Sequence, residues 1–169
     1  MIYKILFTGD NALIFQHLSE KDPLIYSYDS VYEQYDNVGC ICFDYDIMPD
    51  TIEESISRVV DTLCDLKQGR FQFEANLNYE LANWILMQDK PAELNWSLAY
   101  YNHILNTTPI QYSCDKMGRF DSVTKESIMK ASAEIFTRKN MTILVEGKKS
   151  KINAERMNNI LARLDLPES

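Results

Sequence analysis

At 169 residues the chain suits one ordinary domain with a sizeable core. Hydrophobic residues at 46% and charged residues at 25% are globular usage and exclude a disordered chain. A net charge of -8 and a pI near 4.8 repel phosphate backbones, so nucleic acid and anionic membrane surfaces are poor partners, while basic peptides are weakly favoured.

Met1–Phe7 passes equally as a helix, with Ile2, Ile5 and Leu6 on one face, or as a strand. It lacks the features of a secretory leader. Gly9-Asp10-Asn11 breaks it, and Asp10 or Asn11 then caps a helix running to about Lys21. Leu13, Ile14 and Leu18 form the apolar stripe of that helix, and Asp22-Pro23 stops it. Ile25–Gln34 and Val38–Ile47 read as two strands of an antiparallel hairpin around Tyr35-Asp36-Asn37. Asp50 or Thr51 caps the next helix, with Glu53 and Glu54 in its first turn and Ile52, Ile56, Val59, Val60 and Leu63 on its apolar face.

Gly69 ends that helix. Two more helices are expected over Phe71–Gln88 and Pro91–Leu105, the latter broken at Thr107-Thr108-Pro109. Thr124 caps a helix whose buried face is Ile128, Ala131, Ile135 and Phe136. Asn140–Glu146 reads as a strand, with Met141–Glu146 expected in the same sheet as the hairpin, and Asn153–Leu164 as a last amphipathic helix. The sum is an α+β fold, an antiparallel sheet covered by several helices. With no linker, repeat or low-complexity tract, residues 1–169 read as one module. No apolar run reaches the length of a membrane helix.

Chemistry-bearing residues are few. Cys40, Cys42, Cys64 and Cys114 contain no C-x-x-C pair and read as reduced thiols of a cytoplasmic protein. His17-Leu18-Ser19-Glu20-Lys21 comes within one residue of the inverted zinc motif His-x-x-Glu-His. Lys21 occupies the second metal-histidine position, and the only other histidine is His103. A catalytic zinc needs three protein ligands and an open position. The expectation is therefore no metal, no cofactor and no peptidase activity of the isolated chain.

Three stretches, in this order and spacing, carry a family resemblance: "GDNALIFQHLSEKDPLIYSYDSVYEQYDNVGCICFDYDI", "SVTKESIMKASAEIF" and "RKNMTILVEGK". From about Tyr3 to Leu164 the chain resembles the pitrilysin-like zinc metallopeptidases, which include the insulin-degrading enzymes and the mitochondrial processing peptidases. The resemblance is to the later, non-catalytic copy of the family's repeated α+β module. It implies that the module's opening strand and most of its first helix are missing here. It also implies that Ser19 stands where the family has an Arg, and Tyr26 where it has a Tyr, the pair that faces the scissile bond from the non-catalytic half. Tyr26 is thus the candidate substrate contact. Ser19 lacks the charge and forked donors of an Arg, which weakens the assisting role. The implied function is a catalytically inactive module that binds a partner chain or an extended peptide, as a homodimer or with a zinc-bearing peptidase half. Its rivals are an accessory subunit that completes a peptidase site and a structural dimerising remnant.

Overall fold

A computed structural model describes residues 1–9, 11–20, 23–35, 37–92, 95–96 and 120–166. By internal packing the chain falls into two compact units: Met1–Val31 with Cys42–Phe71 and Lys125–Ser169, and Tyr32–Ile41 with Gln72–Thr124. Their segments interleave along the chain, so no linker marks the division. The architecture is α+β, with a two-stranded sheet among the described residues.

In the first unit, α1 (Ile2–Phe7) settles the ambiguous opening as a helix. Ile5 and Leu6 are fully buried, and a positive-φ Gly9 follows the extended Thr8. The Phe7 ring lies 5.2 Å from Phe43, and the Tyr3 hydroxyl donates to the Ser30 carbonyl at 3.0 Å. Thus α1 covers the base of the hairpin and adds no strand to it.

The short α2 (Leu13–Phe15) starts at Ala12 without a side-chain cap, and the expected capping by Asn11 is not made; Asp10 lies outside the described residues. It widens into a π turn at Gln16–Glu20, so Leu13, Ile14 and Leu18 all face inward. The Leu18 carbonyl closes the turn by accepting the Leu24 and Ile25 N–H groups at 2.9 and 3.4 Å.

The hairpin strands β1 (Asp29–Gln34) and β2 (Gly39–Asp44) are both shorter than the residue pattern predicts. Residues 25–28 stay outside the ladder: Ile25 is buried, Tyr26 points into solvent, and the Tyr28 hydroxyl donates to the Phe7 carbonyl at 3.2 Å.

The short α2, the π turn, the last two helices of this unit and the C-terminal turn pack on α3 (Ile52–Lys67). The expected face is buried, and Leu66 joins it. Thr51 does not cap: its hydroxyl donates back to the Met48 carbonyl at 2.9 Å. Lys67, nearly buried, donates to the Leu164 carbonyl at 2.7 Å and ties the C-terminal turn to α3. In the second unit, α4 (Phe73–Gln88) buries Trp84 and Asn76. Most of the expected helix over Pro91–Leu105, its break at Thr107-Thr108-Pro109, and Cys114 lie outside the described residues.

Back in the first unit, α5 (Lys125–Ile135) buries Ile128, Ser132 and the following Phe136. Ile135, expected inside, is the helix's last residue and is 44% exposed, so the stripe runs i, i+4, i+8. Asn153 caps α6 (Ala154–Leu161), accepting the Arg156 N–H at 3.1 Å. Ile52, Ile56 and Met157 form a small cluster between α3 and α6, flanked by Ile47, Val145, Ile152 and Ile160.

The expected third strand, Met141–Glu146, is not one. The segment is neither helix nor strand, and no hydrogen bond engages residues 142–146. β-branched composition favours an extended chain, but a strand also needs a neighbouring ladder. Val145 instead anchors the segment on the α3–α6 cluster, and Leu144 is 85% exposed. No helix of the described residues is long and apolar enough to cross a membrane.

Burial raises the Tyr28 and Tyr45 phenols above their ordinary value of 10.0. The Tyr3 phenol adds to the effect at Tyr28, and a bond with Ser55 partly offsets it at Tyr45. Both groups fold best neutral. Their contribution is therefore complete below the unfolded value of 10.0 and is lost as pH rises through the higher folded values. Urea midpoints measured from about pH 8 to about pH 11.5 should fall at the alkaline end, and less steeply in Tyr45→Phe.

Candidate functional site

The near-zinc stretch His17–Glu20 lies on the π turn, packed on α3. It meets Arg58, Thr62 and Asp65, which recur at i, i+4 and i+7 along one α3 face. Thr62, fully buried, donates its hydroxyl to the Arg58 carbonyl at 2.7 Å. Its oxygen lies 2.9 Å from His17 Nδ1. Because the single hydroxyl proton is already committed, the assigned arrangement has His17 Nδ1–H donating to Thr62. His17 Nε2 faces Asp65 at 3.6 Å, and Asp65 also accepts the Arg70 guanidinium, at 2.7 Å from Nε. Arg58 donates to the His17 carbonyl at 3.2 Å and pairs with Glu54 at 2.5 Å.

Thr-His-Asp order resembles a nucleophile relay, but the chemistry fails. A nucleophile must reach a substrate and lose its proton to the histidine. Thr62 is inaccessible and gives its proton to a backbone carbonyl. The cluster is a polar clasp that docks the π turn on α3. Glu20 is exposed, and Lys21 and His103 lie outside the described residues. Among the described residues, no group of three His, Cys, Asp or Glu is arranged to hold a metal ion.

Ser19 and Tyr26 sit in different settings. The Ser19 hydroxyl is buried without a protein hydrogen-bond partner. Tyr26 is fully exposed on the bend before β1, and no hydrogen bond joins the two. A buried unpaired hydroxyl carries a desolvation cost. Ser19→Ala should therefore leave thermal stability unchanged or raise it by up to about 1 kcal/mol. A clear loss in a melting curve would contradict this account of Ser19.

The hairpin's outer half offers a different kind of site. The Tyr35 N–H donates to the Val38 carbonyl at 2.8 Å, fixing the register. Two residues inward, Glu33 faces Cys40, whose thiol reaches the Glu33 carboxylate at 3.8 Å, and the Tyr35 hydroxyl donates to the same carboxylate at 2.9 Å. Antiparallel pairs alternate, so Ile41, the residue after the Glu33–Cys40 pair, turns its N–H and C=O away from β1. No other strand of the described residues flanks β2. Tyr32, Tyr35 and Val38 expose about half their surface or more, at 48%, 54% and 64%. Residues 29–46 contain five acids and no base.

Residue order alone did not reveal the clasp, because Arg58, Thr62 and Asp65 stand 41 to 48 positions from His17. The polar i, i+4, i+7 row on α3 was its one local signal. Comparison with protein-family models, curated proteins and solved structures finds no match.

Proposed function

We propose that the chain acts by binding, as a non-catalytic module that takes an extended segment of a partner protein along the edge of β2. The observation that carries this reading is the outward backbone of β2, which no other described strand flanks. Strand addition supplies affinity through main-chain bonds and specificity through alternate side chains. The acid-only hairpin favours a basic segment. The resemblance to a non-catalytic pitrilysin-like module supports the same reading, since that module contributes binding and not the metal. Placed as it is, Tyr26 is available to a partner, though no geometry ties it to Ser19.

Selection from a random-peptide display library against the full chain tests the proposal. Extended peptides combining β-branched residues with Lys or Arg should be enriched. Their binding should be lost in Ile41→Pro, which removes an outward donor while sparing the β1–β2 ladder. No enrichment, or binding indifferent to Ile41→Pro, would overturn it.

A further inference from the structure

The chain itself contains a segment that fits this edge. Met141–Glu146 has the strand composition Met-Thr-Ile-Leu-Val-Glu, no hydrogen bond at residues 142–146, and Leu144 almost wholly exposed. It is six residues long, as is β2. Backbone groups left unpaired in an extended, apolar stretch are a template for another strand.

Charge identifies the counterpart. Residues 138–151 hold five bases, Arg138, Lys139, Lys148, Lys149 and Lys151, against the single acid Glu146. Lys151 is engaged with Asp50 at 2.6 Å, whereas Lys139 and Lys148 are exposed. The hairpin shows the reverse pattern, with Asp36 before β2 and Asp44 and Asp46 at its far end. Bases flank one segment at both ends and acids flank the other, so the charges align in either strand direction.

We infer that the partner strand is Met141–Glu146 of a second copy of this chain, laid along β2. The inference rests on the reading of β2 as an accepting edge. It makes the protein a self-associating module, with each chain offering one donor segment and one acceptor edge. Pairing would engage every second residue of the unbonded backbone at residues 142–146 and bring exposed Leu144 onto the face of a sheet.

Charge reversal with rescue tests the inference on the full chain. One variant carries Lys139→Glu and Lys148→Glu, the other Asp44→Lys and Asp46→Lys. These four side chains are exposed, so folding should survive, which circular dichroism checks. In sedimentation equilibrium the parent should dimerise at micromolar concentration, and each variant alone should associate about tenfold more weakly. An equimolar mixture should restore association, because each variant then supplies what the other repels. A monomeric parent, or a mixture no tighter than either variant, overturns the inference. If display still yields peptides sensitive to Ile41→Pro, the accepting edge stands and only its occupant was misidentified. If neither experiment finds a ligand, both readings fail.

Discussion

Leu18→Ala is expected to lower the unfolding free energy by about 2–5 kcal/mol, the range for deleting a fully buried leucine side chain where the site collapses incompletely. Leu18 is 0% exposed at the centre of the π turn. Its surroundings resist collapse for two reasons. Its own carbonyl is fixed by the Leu24 and Ile25 N–H groups, and the residue before it, His17, is held to α3 by Thr62 and Arg58. The backbone therefore stays in place while the side chain is removed, leaving a cavity. Leu18→Met keeps the volume and should cost under about 1.5 kcal/mol. Urea unfolding of both variants separates the two figures, and amide exchange in α3 reports whether the loss falls in the first unit. If Leu18→Ala were as mild as Leu18→Met, the turn would not be anchored as described.

The parts legible in the residues are those decided locally. The face Ile52, Ile56, Val59, Val60 and Leu63 follows from a helical period, and its neighbour in the structure, Leu66, simply continues the row. The hairpin follows from two β-rich runs around a short polar turn. The failures are non-local. Met141–Glu146 has strand composition, but only a ladder makes a strand, and no described strand lies beside it. Thr51 has a capping side chain, but the Met48 carbonyl claims its hydroxyl. The Leu13, Ile14 and Leu18 stripe was legible, whereas the π geometry that turns it inward is set by contact with α3.

The candidate site divides the same way. His17 and Glu20 were conspicuous in the sequence, and the excess proton at Lys21 argued against a metal ligand there. What His17 does instead depends on Thr62 and Asp65, which no spacing rule connects to it. Ser19 and Tyr26 are seven residues apart, one with a buried hydroxyl and one with a fully exposed ring. Their pairing was implied by resemblance alone. The acidic hairpin and the basic flanks of residues 141–146 lie far apart along the chain, and residue order alone does not set one against the other. Their opposition gained meaning once the backbone of residues 142–146 proved unbonded.

Gly69→Val should cost about 2–4 kcal/mol, through two separable effects. The end of α3 forms a Schellman turn: the Arg70 N–H donates to the Asp65 carbonyl at 2.8 Å, and the Gly69 N–H to the Leu66 carbonyl at 3.2 Å. That turn requires a left-handed residue, and Gly69 has φ 71. A β-carbon there would also stand 2.8 Å from Met129 Sδ and 2.9 Å from Lys125 Cε on α5. The Lys125 contact is with a flexible side chain that also lies 5.5 Å above the Phe71 ring, so it can shift at little cost. The Met129 contact is the steric part. A double-mutant cycle divides the loss. In the background of Met129→Ala, Gly69→Ala should retain only the backbone penalty, about 1–2 kcal/mol. In the parent it should cost more. The turn also aims Arg70 back at Asp65, the carboxylate that faces His17. Straining it should therefore loosen the π turn, and amide exchange at Leu24 and Ile25 should quicken in Gly69→Val. Equal losses in both backgrounds would remove the steric part. Unchanged exchange at Leu24 and Ile25 would uncouple the cap from the clasp.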